Sequence, residues 1–263
     1  MFFTEKPTVV GHRGFGRGTR GGNRENTVPS CLAAVAAGLT WIEIDVQRTA
    51  DDQLVLHHDW TAPDGSYIVE RTAAELAGQG IARLEEMLEA LPPEIGLDLD
   101  VKTVLTDATC PHSRRTGALL AAALGAESLR RRLFITSFDA GLLTSMGPHL
   151  PQAAFGLITW LNFPLNHGVP AAAALGFDAI CLNTGSFGPK GEGPFAAGDE
   201  RPPFPAAADA VAAAHDAGLD VLVWCPDPAE SVRYAAAGAD ALCVDDVPGT
   251  LQALRLAAES SGG

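Results

Sequence analysis

No run of 18 apolar residues occurs in this sequence, so no membrane-spanning helix is expected. Cysteine is sparse. Cys31, Cys110, Cys181, Cys225 and Cys243 are scattered, odd in number, and form no CxxC pair. That spacing argues against a zinc site or a cysteine nucleophile, and it predicts reduced thiols in a cytoplasmic protein. Positive charge is also short: 18 Lys and Arg stand against 32 Asp and Glu, a formal charge of −14, which argues against nucleic acid or an anionic membrane as partner. The opening Met1–Pro7 has no apolar core, so no secretory signal peptide is expected in it. A glycine fingerprint for dinucleotides is missing, and no linker breaks the chain, so a single domain over residues 1–263 is expected.

Apolar strand-like runs alternate with Ala/Leu-rich helical segments. Strands are predicted at Thr8–Gly11, Trp41–Val46, Gly96–Val101, Leu133–Thr136, Ala153–Thr159, Ala179–Leu182, Val221–Trp224 and Ala241–Val244. Helices are predicted at Ser30–Ala37, Arg83–Leu91, Thr116–Leu124, Ala140–Met146, Pro170–Leu175, Ala206–Ala217, Pro228–Ala237 and Pro248–Ala258, with Gly38, Gly218 and Gly238 as stops. Eight strands each followed by a helix predict an α/β chain folded as a (β/α)8 barrel, with a doubly wound sheet as the lesser alternative. Gly14–Arg24, Thr103–Arg115 and Asn183–Pro205 are long loops that follow strands, so they belong on the carboxyl face, where barrels carry their sites. Asn183–Pro205 carries Phe187, Phe195 and Phe204 and reads as a wall or lid. Arg13, Arg17, Arg20 and Arg24 form a local basic patch suited to an anionic group.

Within Trp41–Val46, Glu43 and Asp45 alternate with Ile42, Ile44 and Val46, so both carboxylates share one face. Two such acids repel unless a positive charge sits between them. A hard divalent cation, Mg²⁺ or Ca²⁺, would serve. Gly96–Lys102 repeats the pattern: Asp98, Asp100 and Lys102 share a face, so Asp100 can add a third carboxylate and Lys102 can take a phosphate oxygen, or the two form a structural ion pair. His12 ends the first strand, and His58-Asp59 ends a short extra strand, Gln53–Leu56. Imidazoles titrate near neutrality and suit proton transfer in both directions. The residues point to a metal-assisted, two-histidine hydrolase of a phosphodiester. His57 should face away from His58 and be structural, and His112, His149, His167 and His215 read as surface or loop residues.

The ordered set His12-Arg-Gly14, Glu25-Asn-Thr27, Glu43-Ile-Asp-Val46, His58-Asp59 and Asp100-Val-Lys102 resembles the glycerophosphodiester phosphodiesterase family. Ser137-Phe138, Trp224 and Gly238–Asp246 look like the family's later landmarks, so the likeness runs from about residue 8 to about residue 250. It implies cleavage of a small-molecule glycerophosphodiester to glycerol 3-phosphate and an alcohol. It also implies one divalent cation on Glu43, Asp45 and Asp100, an acid–base pair of His12 and His58, and Arg13 and Lys102 on the phosphate, with Trp224 as a further substrate contact. His12 is assigned as base and His58 as acid, the exchanged roles staying open. Glu25 and Asn26 read as supporting residues: Glu25 orienting Arg13 or a histidine, Asn26 or Thr27 capping the next helix.

Departures from the family pattern bear on pocket shape. Asp100 stands where Glu is usual, although sphingomyelinase D-like barrels use Asp followed by Lys two residues on. The loop before Glu25 is long, Arg24 replaces a common Pro, an Arg-Thr pair is missing after His58-Asp59, and Trp224-Cys-Pro-Asp227 replaces the common Trp-Thr-Val-Asn. The alternatives are a sphingomyelinase D-like or phospholipase C-like lyase leaving a cyclic phosphate, a hydrolase of another phosphodiester such as a lysophospholipid, and a non-catalytic anion-binding barrel.

Overall fold

The structure is a computed structural model that describes residues 2–160, 163–187 and 206–261. Residues 188–205, with Phe195 and Phe204 of the expected wall, lie outside the described residues. The strands are β1 (Thr8–Gly11), β2 (Thr19–Arg20), β3 (Asn23–Arg24), β4 (Trp41–Arg48), β5 (Leu54–Leu56), β6 (Gly96–Val101), β7 (Leu133–Ser137), β8 (Ala154–Ile158), β9 (Ala179–Asn183), β10 (Asp220–Trp224) and β11 (Ala241–Val244). The helices are α1 (Val28–Ala36), α2 (Ala73–Ala77), α3 (Leu84–Ala90), α4 (Thr116–Leu124), α5 (Ala140–Met146), α6 (Leu165–Ala174), α7 (Ala207–Asp216), α8 (Pro228–Ala236) and α9 (Val247–Ser261). Eight parallel strands, β1, β4 and β6 to β11, with helices between them, make a (β/α)8 barrel, as the alternation predicts.

The chain divides into two compact units, Gly11–Phe155 and Met1–Val10 with Gly156–Gly263. In the first, β4 is the centre. It pairs in parallel with β6, aligning Glu43 with Asp98 and Asp45 with Asp100, and β6 pairs in parallel with β7. β5 runs antiparallel along the end of β4, with Val46 opposite Leu56. Every residue of β4 is buried, so its alternation separates an apolar face from a polar face with no solvent on either side. In the second unit β9 and β10 are parallel neighbours, with β8 and β11 on their outer sides.

Most predicted elements agree with the structure to within two residues, and Gly38, Gly218 and Gly238 take positive φ after their helices. α6 differs: it starts at Leu165 and holds Pro170 inside, where the sequence places Pro170 at the start. Proline favours a first helical turn, which explains the misplacement. α2, with Thr72 and Glu75 in a reciprocal capping box, and the β2–β3 hairpin are further elements. None of the five cysteines forms a disulfide among the described residues. Among the described residues no helix is long and apolar enough to cross a membrane.

Candidate active site

Nearly all the candidate residues fall in the Gly11–Phe155 unit. The chain leaves β1 in a tight turn, with the Gly14 N–H donating to Gly11 O at 3.2 Å. Arg13, inside that turn, takes φ 52°, a left-handed conformation that costs a residue with a Cβ. The return is contact on three sides. The Arg13 N–H donates to Glu43 Oε2 at 2.7 Å, its carbonyl accepts from the Asn26 N–H at 3.0 Å, and its guanidinium meets Glu25 Oε1 at 3.0 Å and Asp45 Oδ2 at 3.3 Å. Glu25 therefore orients Arg13, as expected.

Asn26 is also left-handed, at φ 54°, and grips Asp45 twice: its Nδ2 donates to Asp45 Oδ2 at 2.8 Å, and the Asp45 N–H donates to its Oδ1 at 3.0 Å. Asparagine tolerates this backbone better than most residues. Thr27, and not Asn26, caps α1, accepting from the Ser30 N–H. The Glu-Asn-Thr motif is thus divided between a guanidinium clamp, a carboxylate clamp and a helix start.

Oxygen atoms of Glu43, Asp45 and Asp100 all lie within 4.8 Å of one another. Asp100, though shorter than Glu, reaches the other two. Lys102 bonds to Asp100, sits 3.0 Å from Asp45 Oδ1, and lies 5.9 Å from the centre of the Phe138 ring. The structure thus pairs Lys102 with both acids, so the ion pair weighed from sequence exists beside the carboxylate cluster and does not replace it. Asp98 joins the cluster from below, taking a hydrogen bond from Thr136 Oγ1 at 2.7 Å.

Four acids against Arg13 and Lys102 leave surplus negative charge away from water. Burial, then repulsion from Asp45, pushes Glu43 up to about 8. Burial and then Glu43 push Asp98 well above the usual carboxyl range. Asp100 is raised by burial, which Lys102 only partly opposes. At Asp45 burial is outweighed by Lys102 and Arg13, which hold it ionised below the usual range. A divalent cation fits this arrangement: the donors are all carboxylate oxygens, Asp100 Oδ1 is buried with no hydrogen-bond partner, and burial with mutual repulsion disfavours the ionised forms of Glu43 and Asp98, an effect that a cation would oppose.

His12 Nε2 stands 3.9 Å from Glu43 Oε2 and accepts from Arg13 Nε at 3.3 Å. His58 is more open, with its side chain 38% exposed, and its Nδ1 contacts Asp59 Oδ1 at 2.8 Å. Both imidazoles act electrostatically on Asp45. His57 turns away, as expected, its Nε2 meeting Thr61 O at 3.0 Å.

A family model described as the glycerophosphoryl diester phosphodiesterase family matches residues 12–248. The chain belongs to this family. A glycerophosphocholine phosphodiesterase of Candida albicans is 42% identical over 60 residues, covering 21% of this chain and 5% of that protein, so the chain spans a small part of that relative's length. A glycerophosphodiester phosphodiesterase structure from Parabacteroides distasonis superposes with a TM-score of 0.76 at 21% identity, covering 97% of this chain and 99% of that one. A phosphodiesterase from Oleispira antarctica, solved with the product sn-glycerol-3-phosphate, gives 0.73 at 22% identity over 95% and 97%. At these identities the two structures bear on the fold alone.

Further residues singled out in this glycerophosphoryl diester phosphodiesterase family member have definite partners or positions. Of the four arginines read as a basic patch, Arg13 is buried among acids and Arg24 donates to Gln79 O at 3.0 Å. In the Thr103–Arg115 loop, Arg114 pairs with Asp52 at 2.7 Å and Arg115 with two backbone carbonyls. His215 is no bland surface residue, since its Nε2 meets the buried Asp240 at 2.8 Å. Trp224 ends β10 in the other unit, its indole N–H buried without a hydrogen-bond partner. Asp227 caps α8 in a box with Glu230, which accounts for one departure at that motif by helix chemistry. Gln47, absent from the sequence reading, is buried and bonds the backbone on both sides of His58.

Proposed function

We propose that this chain hydrolyses glycerophosphodiesters to glycerol 3-phosphate and an alcohol, using one divalent cation, Mg²⁺ or Ca²⁺, with His12 and His58 as the proton-transfer pair. The observation that carries this reading is the convergence of Glu43, Asp45 and Asp100 within 4.8 Å, with Asp100 Oδ1 buried and lacking a partner. Family membership over residues 12–248 supports the substrate class.

Glu43, Asp45 and Asp100 would hold the cation, which when bound supplies charge for a phosphate oxygen. Arg13 and Lys102 carry the fixed positive charge beside it. Arg13 is locked by Glu25 and so keeps its orientation, while Lys102 is held between Asp45 and Asp100, its ammonium kept protonated by both against the effect of burial. In the assigned roles His12 takes a proton from the attacking water as its oxygen bonds to phosphorus. His58 gives a proton to the alcohol oxygen as the P–O bond breaks, and the two histidines then exchange that proton with solvent. Asp59 on Nδ1 fixes which ring nitrogen of His58 faces outward.

The test is an assay on glycerophosphocholine and glycerophosphoethanolamine with Mg²⁺ or Ca²⁺, repeated after EDTA. Activity should vanish with chelation and return with added metal. His12→Ala and His58→Ala should each lower kcat by on the order of 10²-fold or more. Near-normal turnover in either variant removes that histidine from the chemistry. Phosphorus NMR reads the nucleophile: a cyclic phosphate product would assign the attack to a glycerol hydroxyl in place of water.

A further inference from the structure

Glu43 and Asp45 share the polar face of β4 with a third residue, Gln47, two positions further on and 4% exposed. Its side-chain nitrogen carries two N–H groups. One donates to the carbonyl of His57 and the other to the carbonyl of Asp59, both at 2.7 Å. These two carbonyls bracket His58. The same short segment is tied down at two more points. The His57 N–H donates to Asp45 O at 3.1 Å, and the His57 ring meets Thr61 O at 3.0 Å. The backbone around His58 is thus fastened to the strand that bears two of the three clustered carboxylates, while the His58 ring stays partly in solvent.

We propose that Gln47 is a positioning residue for His58, holding the imidazole at a fixed place relative to Glu43 and Asp45. The inference rests on the functional reading above for its kinetic consequence, and on geometry alone for the placement. An amide suits the task because two carbonyl oxygens two residues apart take two donors from one atom. A carboxylate would turn only acceptors toward them, and an apolar side chain would leave both carbonyls without those bonds. Proton transfer requires the imidazole within hydrogen-bond reach of its partner, so a small displacement of the segment is felt in the rate.

The test uses the full chain loaded with Mg²⁺ or Ca²⁺ and carrying Gln47→Leu or Gln47→Met. The unbranched Met variant carries the test if Leu does not fold. On glycerophosphocholine, kcat should fall by about tenfold to a hundredfold, with KM and calorimetric metal affinity within about twofold of wild type. In a His58→Ala background the Gln47 substitution should cost nothing further, because its effect runs through the missing ring. A kcat within twofold of wild type in the folded variants overturns the proposal, and so does a loss in the His58→Ala background equal to that in wild type. If the wild-type chain cleaves no glycerophosphodiester, the functional reading fails by itself. The positioning is then decided by the ¹⁵N resonances of the His58 imidazole: a shift or broadening in Gln47→Met upholds it, and an unchanged signal overturns it.

Discussion

Gly14 shows how little freedom single residues have around this site. It sits at φ +95°, and a Cβ there would lie 2.6 Å from Ser30 Oγ and 2.8 Å from the Cys31 backbone nitrogen. The same Ser30 hydroxyl serves the Phe15 N–H and the Arg13 carbonyl, so it cannot move aside cheaply. Gly14→Ala is expected to cost at least about 2 kcal/mol, from backbone strain and overpacking together, and to lower activity by displacing Arg13. Urea unfolding measures the first, and a variant as stable as wild type would refute the tightness of the turn. The residue scale is also where sequence reading succeeds and fails most clearly. The convergence of Glu43, Asp45 and Asp100 was legible because alternation within each of two strands turns its acids to one face, whereas His12 and His58 were singled out by their chemistry and their place at strand ends. Gln47 was not, because an amide announces no reaction and its partners are backbone carbonyls, set by where residues 57 to 59 come to rest. Asn26 was legible as a supporting residue, yet its clamp on Asp45 rests on a left-handed backbone that no pattern in the sequence displays.

Elements were legible in proportion to their periodicity. β4 and β6 show a clean alternation and were found with their faces assigned correctly. The two-residue strands β2 and β3 are too short to show any period. α2 is five residues long, but Thr72 and Glu75 bear the spacing of a capping box, a signal available before the structure. The same device starts α8, where Asp227 Oδ1 accepts from the Glu230 N–H at 2.7 Å and Glu230 Oε2 accepts from the Asp227 N–H at 3.0 Å. Asp227→Ala removes one half of that exchange and should destabilise the chain by about 1 kcal/mol, whereas Asp227→Asn should retain most of the stability, since both residues cap well. Equilibrium urea unfolding of the pair tests this. Equal stability of the Ala variant and wild type would mean that the box adds nothing and that Asp227 stands there for another reason.

At the scale of the whole chain, a cluster of two buried aspartates and the half-exposed Lys6 joins the first residues to strands more than 200 positions away. Asp220 begins β10 and Asp240 directly precedes β11, the ends of barrel strands that serve stability more than chemistry. Both side chains are fully buried. The Phe3 N–H donates to Asp220 at 3.0 Å, Lys6 pairs with Asp240, and Asp240 also receives the Val221 N–H at 2.7 Å and His215 Nε2 at 2.8 Å. Burial works against the charge on Asp240, but Lys6, the Val221 amide and His215 outweigh it and hold this carboxyl below its usual range. A group depressed in the folded state binds fewer protons there than in the unfolded chain. Its contribution is therefore present above the ordinary carboxyl value and drains away as the pH falls through the folded value. Asp240→Asn keeps the size and one acceptor oxygen but removes the charge that Lys6 faces. It should cost about 1–3 kcal/mol near neutrality, the lower part being favoured by the partial exposure of Lys6. The gap between variant and wild type should narrow steadily below the ordinary Asp value, as the wild-type carboxyl takes up its proton. Urea unfolding at pH 7 and again in acid reads the difference. A penalty of the same size at both would show that hydrogen bonding and shape, and not charge, fasten the amino-terminal segment to β10 and β11.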